Sequence, residues 1–184
     1  MPLFPRRKTS SDVNERPDTW AFLLWFIIFA MLTMVAAFSG AKFAPGEWYD
    51  TIAKPGWTPP GWAFPVVWSI LYLFIAIAGT LVFLKRGGGT IAMLFWTAQL
   101  VVNGLWSFVF FGLQRIDAAL VVVTVLALLI VGFIKYAWPH SRKAALLFVP
   151  YLAWVLTAAA LNFHVWALNG FPIGVFVPGG AQSG

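Results

Sequence analysis

Cysteine is absent from this 184-residue chain, and charged residues make up only 10% of it. The first absence excludes disulfide bonds and thiolate metal sites. Soluble domains carry about 25% charged residues. The scarcity of charge, together with 61% hydrophobic residues and a mean hydropathy of +0.84, therefore indicates an integral membrane protein embedded in the lipid bilayer.

Charge is also missing from the interior of every long apolar run. Ion- and proton-coupled transporters usually place a carboxylate, Lys or His at membrane depth, so the sequence argues against an ion-coupled pump. It contains no Ser/His/Asp arrangement, metal-ligand cluster or phosphate-binding loop. We therefore predict no catalytic residue, no metal site and no obligatory cofactor.

Five apolar runs are each long enough to cross a hydrocarbon core of about 30 Å. They predict an all-α membrane protein, a bundle of five transmembrane helices. A cleaved signal peptide is the alternative for the first run, which is about twice as long as a signal core. Residues 1–19 are predicted to be a disordered cytoplasmic tail and 169–184 a flexible tail. The predicted spans are about 20–41, 63–84, 90–111, 116–136 and 143–168.

The net charge of +6 does not predict nucleic-acid binding, because the basic residues lie in loops between the apolar runs. Nine Lys and Arg residues fall on the side of the N-terminus and three on the other side. Basic residues concentrate on the cytoplasmic side of membrane proteins. The sequence thus predicts an inner-membrane protein with a cytoplasmic N-terminus and an extracytoplasmic C-terminus.

The loop between the first two spans is rich in proline and tryptophan. Each proline fixes φ and removes a backbone donor, so residues 54–60 cannot form a regular helix. Tryptophan suits places where apolar and polar surroundings meet. The loop is therefore either a stiff cap on the membrane surface or the lid of a pocket for a flat ligand, with Trp48 and Trp57 as candidate contacts.

The third span contains two amides, Gln99 and Asn103, one helical turn apart and followed on the same face by Trp106 and Phe110. Buried amides often hydrogen-bond across helices in membranes. Direct contact with a ligand is the other interpretation.

Aromatic residues form stripes on the second and fifth spans. Phe64, Trp68 and Tyr72 share one face of the second span. On the fifth span, Tyr151 and Trp154 share a face below a kink expected at Pro150. Such stripes more often form core than a binding site. Their position beneath the Trp-rich loop favours a pocket at the extracytoplasmic end.

His164 lies near the far end of the fifth span. It is a candidate haem-iron ligand, although a lone histidine is more often a hydrogen-bonded interfacial residue.

Several motifs recur together in a fixed order between about residues 40 and 168. They resemble the TspO family, also known as the tryptophan-rich sensory protein, translocator protein or peripheral benzodiazepine receptor family. The matching motifs are Trp48-Tyr49, Lys54-Pro55-x-Trp57-x-Pro59-Pro60-x-Trp62, Val67-Trp68-x-x-Leu71-Tyr72, Gln99-Leu100-x-x-Asn103-x-x-Trp106, Phe110-Phe111-Gly112, Pro150-Tyr151-Leu152-Ala153-Trp154 and Leu161-Asn162.

The resemblance implies five helices, a homodimer, and a pocket beneath the first loop for porphyrins, sterols or synthetic isoquinoline-type ligands. Ala98 and Gly104 on the third span are small enough to allow close approach of a second copy. With Trp48, Trp57 and Tyr72, the positions that the resemblance assigns to the pocket are Phe64, Trp68, Asn103, Trp106, Trp154, Ala158, Leu161, Asn162 and Phe163.

Two departures from the family pattern bear on activity. Some bacterial members degrade porphyrin photochemically with two tryptophans, and these positions align with Trp68 and Phe163. The sterol consensus of the animal members ends in Tyr and Arg, where this chain has Phe163 and Ala167. We therefore predict a non-enzymatic, tetrapyrrole-binding sensory or regulatory membrane protein. The alternatives are a translocator of porphyrin or sterol-like ligands, a light-dependent porphyrin-degrading enzyme, and a structural protein without a ligand.

Overall fold

The computed structural model describes residues 19–175, and in this range the chain forms helices and no strand. Five segments are long and apolar enough to cross a membrane, which confirms the predicted fold class. The predicted bounds of the five spans differ from the observed ones by at most two residues. The helices are α1 (Thr19–Lys42), α2 (Glu47–Thr51), α3 (Ala63–Arg86), α4 (Ile91–Ser107, followed by a π-helical turn at Phe108–Gly112), α5 (Ile116–Ala137) and α6 (Arg142–Leu168).

Local sequence signals fix several helix ends. The Thr90 hydroxyl accepts a hydrogen bond from the Met93 amide at the start of α4, and Ser141 caps α6 in the same way through Ala144. Side-chain caps of this kind satisfy amides that have no partner within the helix. Gly87 ends α3 with a positive φ of 76°, a conformation that glycine adopts without steric cost.

The five long helices form a closed ring. α1 packs against α3 and α4, α3 also packs against α6, and α5 lies between α4 and α6. At one end, which we call the loop end, α2 and the Trp-rich loop join α1 to α3. At the other end, the basic end, lie Lys85, Arg86, Lys135, Arg142 and Lys143.

The centre of the ring is built around Trp96 of α4. Its indole N–H donates to the Ile75 carbonyl of α3 at 2.9 Å, and its ring meets Phe29 of α1 edge-on at 4.8 Å. Space for the indole exists because residue 79 is glycine: a Cβ there would lie 2.8 Å from Trp96. One large ring thus connects three helices.

Gly104 allows α4 to pack closely against α1 of the same chain. A Cβ at this position would lie 3.7 Å from the Ala36 Cα of α1, and its carbonyl accepts a hydrogen bond from the Ser39 hydroxyl. The close approach predicted for a second copy at Gly104 is therefore made by α1 of the same chain.

The two predicted tails fall mostly on residues 1–18 and 176–184, which lie outside the described range. Thr19, which the prediction placed in the first tail, begins α1. Residues 169–175 fold back onto the bundle. The Trp166 indole donates to the Pro172 carbonyl at 2.8 Å, and the Gly174 amide donates to Asp117 at 3.2 Å. These two bonds hold the first part of the segment that was predicted to be a flexible tail.

Candidate ligand-binding site

Two aromatic rings of α3 form a wall on the inner side of the ring of helices. Trp68 and Tyr72 stack with centroids 5.3 Å apart and an interplanar angle of 29°. Trp68 also meets Tyr151 of α6 edge-on at 6.0 Å. The residues lie one turn apart on the helix, which places their rings on one face. Both remain partly exposed although they contact neighbouring helices.

A chain of hydrogen bonds runs from this wall into the core. The Tyr72 hydroxyl donates to Asn103 Oδ1 at 2.9 Å, and Asn103 Nδ2 donates to the Tyr151 hydroxyl at 2.9 Å. The Tyr151 hydroxyl donates to Gln99 Oε1 at 3.0 Å, and Gln99 Nε2 donates to the Trp96 carbonyl at 2.8 Å. The two amides therefore do join helices, as one sequence interpretation proposed, and Asn103 also borders the aromatic wall.

A second polar contact connects α4, α5 and α6. The Trp106 indole donates to Asn162 Oδ1 at 3.3 Å, and Asn162 Nδ2 donates to the Ile116 carbonyl at 2.8 Å. Trp106 also stacks on Phe110 in the π-helical turn, with centroids 5.2 Å apart. Asn162 is buried, so its amide is held in one orientation by partners on both sides.

The predicted residues of α3 and α6 near the loop end are also close together. Phe64 meets Trp154 edge-on at 5.7 Å. Ala158 and Leu161 of α6 are partly buried, and Ala158 packs against the main core. The structure thus brings together residues from three helices: Phe64, Trp68, Tyr72, Asn103 and Trp154.

The Trp-rich loop is held by bonds of its own. The Lys54 ammonium lies 4.5 Å from the centre of the Tyr49 ring and donates to the carbonyls of Tyr49 and Ile52. The Thr58 amide and hydroxyl both donate to the Pro55 carbonyl. Burial raises the pKa of the Tyr49 phenol, and the charge of Asp50 raises it further. Residues 53–60 contain no helix, as predicted, whereas the short helix α2 was not predicted.

Two contacts fasten the loop to the end of α6. The Ala53 amide donates to Asn169 Oδ1 at 3.1 Å, and Asn169 Nδ2 donates to the Ala53 carbonyl at 3.0 Å. Nearby, Trp57 meets His164 edge-on at 5.4 Å. The other predicted loop residue, Trp48, packs against Phe110 at 5.8 Å. The loop therefore covers the ends of α4 and α6.

Phe163 and His164 lie apart from the aromatic wall. Phe163 is 46% exposed, and its ring contacts are with His164, Trp166 and Phe171. His164 is exposed, with Nδ1 2.8 Å from the Ala160 carbonyl. Among the described residues, no group of three or more His, Asp or Glu side chains could hold a metal ion.

Two further features were missed by the sequence reasoning. Asn169 follows the last apolar residue of α6, where asparagine is a common helix-end signal, but its partner lies 116 residues away. Arg115 and Asp117 form a bidentate ion pair at 2.9 and 3.0 Å at the start of α5. That pair raises the pKa of Arg115.

Open space between the helices remains along the outer seam of α3 and α6. Two adjoining grooves of about 340 and 440 Å³ share Phe74 and Pro150. Together they form what we call the α3–α6 groove, lined by α3 residues between Val67 and Leu81 and by α6 residues between Lys143 and Thr157. Lys143 is the one charged residue among them.

Known proteins resemble this chain over most of its length. The model of the TspO/MBR family matches residues 23–167. Protein CrtK of Rhodobacter capsulatus is 39% identical over 150 residues, which cover 80% of this chain and 94% of that protein. The tryptophan-rich sensory protein of Cereibacter sphaeroides is 40% identical over 150 residues, covering 82% and 92%. The human translocator protein is 32% identical over 148 residues, covering 77% and 88%.

These matches confirm the resemblance that the motifs predicted. They span α1 to α6, so they include all five apolar helices and the loop end where the candidate residues meet. The chain therefore belongs to the TspO/MBR family of integral, multi-pass membrane proteins.

Proposed function

We propose that this protein binds a tetrapyrrole, porphyrin or haem, and acts as a sensory or regulatory protein rather than an enzyme. The observation that carries the proposal is the Trp68–Tyr72 stack. Both rings contact interior groups of α4 and α6, yet both remain partly exposed. Aromatic faces that point inward and are still accessible suit a flat, apolar ligand.

The neighbouring polar groups suit the edge of a macrocycle. Asn103 and Tyr72 offer donors and acceptors beside the stacked rings. Binding sites of this type combine mostly apolar walls with a few placed polar groups. Stacking on one aromatic face contributes roughly 1–3 kcal/mol, by analogy with nucleobases. The relative named as a tryptophan-rich sensory protein supports a sensory role.

The position of Phe163 supports the non-enzymatic part of the proposal. The resemblance implies that the photochemistry of some bacterial members uses tryptophans at the positions of Trp68 and Phe163. Phenylalanine lacks the indole, and this ring contacts Trp166 and Phe171 rather than the aromatic wall. We expect illuminated protein with bound protoporphyrin to give no degradation product beyond that of protoporphyrin in empty detergent micelles.

Orientation and assembly are parts of the same proposal. The basic end faces the cytoplasmic side of the inner membrane, since basic residues favour that side, and the loop end faces outward.

A homodimer would use the outer face of α4, where Leu94, Val101 and Leu105 are exposed. Ala98→Leu should then shift the purified protein toward monomer in detergent, as measured by light scattering.

Titration of the purified protein with protoporphyrin, followed by quenching of tryptophan fluorescence, tests the function. Trp68→Ala should weaken binding by roughly 5- to 150-fold, since 1.4 kcal/mol corresponds to a factor of ten. The matched control is Trp138→Ala, which removes a partly exposed tryptophan at the basic end. Trp68→Phe keeps most of the packing volume, so it separates lost stacking from unfolding. Unchanged affinity in both Trp68 variants would contradict the proposal.

Translocation of the ligand is a second candidate, favoured by the name of the human relative. Its test is a flux measurement. Proteoliposomes preloaded with protoporphyrin should release it faster than vesicles without protein if the protein transports, and at the same rate if it only binds.

A further inference from the structure

The α3–α6 groove has two walls with the same pattern. On α3, Phe74, Ile77 and Leu81 follow one another at spacings of three and four residues, which places them on one helix face. On α6, Leu146, Pro150 and Ala153 do the same. Pro150 adds an apolar ring to this wall. The groove is an apolar channel between two antiparallel helices.

Each wall leads to a lysine at the basic end. Lys143 lines the groove directly. Lys85 lies four residues after Leu81, so it continues the α3 stripe by one turn. Arg86 and Arg142 adjoin them in the chain. Within residues 19–175, Lys85 and Lys143 have no ion pair, and the acidic residues Glu47, Asp50 and Asp117 belong to the loop end.

The length of the groove fits one lipid chain. Thr157 lies fourteen residues after Lys143, about 21 Å along the helix. One leaflet of the hydrocarbon core is about 15 Å thick. The groove is therefore longer than one leaflet is thick. An acyl chain whose headgroup lies at the lysines can stay within the groove from its first carbon to its last.

We propose that the α3–α6 groove is a binding site for an anionic phospholipid, with its phosphate between Lys85 and Lys143 and one acyl chain along the groove. Basic pockets between helices on the cytoplasmic side of membrane proteins bind anionic headgroups. The phosphate end of this site is separate from the aromatic wall, because the groove opens outward and its lysines lie at the opposite end. The groove meets the candidate tetrapyrrole site at Trp154, which lines its loop-end part and contacts Phe64.

The absence of cysteine makes a direct test possible. Ala153→Cys places one thiol in the groove, where the native side chain is exposed. A fluorescent label on it is quenched by phospholipids with brominated chains. The depth-matched control is Leu128→Cys on α5, a lipid-facing residue that is 66% exposed. Each position lies about 14–17 Å along its helix from the basic end. The full chain is reconstituted in phosphatidylcholine vesicles containing brominated phosphatidylglycerol or brominated phosphatidylcholine.

We expect phosphatidylglycerol to be enriched over phosphatidylcholine at Ala153→Cys and not at Leu128→Cys. Each of Lys85→Gln and Lys143→Gln should reduce the enrichment about fivefold, the value of one basic residue near a membrane surface. Lys135→Gln is the charge control, because it removes a basic-end lysine outside the groove. An equal enrichment of phosphatidylglycerol over phosphatidylcholine at the two labelled thiols would overturn the proposal. So would enrichment that falls as much with Lys135→Gln as with Lys143→Gln, since bulk attraction of anionic lipid would then explain it.

Discussion

Asn169 and Ala53 are joined by two hydrogen bonds of opposite direction, at 3.1 and 3.0 Å, across 116 residues of sequence. The Asn169 amide uses both its donor and its acceptor on one backbone unit of the loop. It is held in place by a further bond from Nδ2 to the Val165 carbonyl at 2.7 Å. The loop is thereby tied to the end of the helix that supplies much of the candidate site.

Asn169→Ala should loosen the loop. Each lost hydrogen bond contributes about 0.5–1.5 kcal/mol, and these are exposed to water, so we expect amide exchange in residues 53–62 to accelerate about fivefold. Hydrogen exchange followed by mass spectrometry measures this. Asn169→Asp keeps the acceptor for the Ala53 amide and should show a smaller increase. Exchange rates equal to those of the parent in both variants would show that the loop is held by other contacts.

Pro59→Ala with Pro60→Ala should weaken protoporphyrin binding while leaving membrane insertion intact. Proline limits the number of conformations that the open loop can adopt. Each replacement by alanine increases that number, so ordering the loop over a ligand becomes less favourable by about 0.4–1 kcal/mol. We expect a loss of about four- to 25-fold in affinity for the double variant, measured by fluorescence titration. Pro139→Ala, at the basic end, is the control and should bind as the parent does. If the double variant binds equally well, the loop is not a lid.

Gly79→Ala should destabilise the bundle. The new Cβ would lie 2.8 Å from Trp96 and 3.0 Å from Phe29, so the indole must move and its bond to the Ile75 carbonyl is lost. Overpacking of this kind costs about 1–3 kcal/mol. Gly104→Ala is a matched control, because its Cβ meets α1 at 3.7 Å, an ordinary contact. Thermal unfolding in detergent should show a lower midpoint for Gly79→Ala than for Gly104→Ala; the reverse order would contradict the packing described.

Gln99→Leu should destabilise the protein by about 1–3 kcal/mol, because it leaves the buried Tyr151 hydroxyl without its acceptor. Adding Tyr151→Phe removes that unsatisfied hydroxyl. The double variant should therefore lose less stability than the sum of the two single variants, in a denaturation cycle. Strict additivity would show that the two side chains are not coupled.

A reporter enzyme that is active only outside the cytoplasm should be active when fused after Gly184. The nine-to-three distribution of basic residues predicts this orientation. An inactive fusion of a well-inserted protein would reverse it, and a fusion in the loop after Arg86 serves as the cytoplasmic control.

The five spans were predictable because each is a continuous apolar run bounded by proline, glycine or basic residues. The π-helical turn at Phe108–Gly112 was not, since its residues suit an ordinary α-helix equally well. Periodicity placed Gln99 and Asn103 on one face. It could not identify Tyr151 as the hydroxyl between them, because that contact depends on how α4 and α6 are packed. Phe163 shows the same limit. Its family position suggested the pocket, and its exposed ring faces Trp166 and Phe171.

The hydrogen bonds from Trp96 to Tyr72 have a consequence for the chemistry that the wall presents. A backbone carbonyl can only accept, so Gln99 must turn its NH₂ toward Trp96 and its oxygen toward Tyr151. The Tyr151 hydroxyl then donates to Gln99 and must accept from the Asn103 NH₂. The Asn103 oxygen is therefore free to accept from the Tyr72 hydroxyl. The Trp96 carbonyl in the middle of the bundle thus determines which atom donates and which accepts in four successive side chains. An incoming molecule therefore meets the Asn103 amide in an orientation set two turns away on the same helix, through Tyr151 of α6.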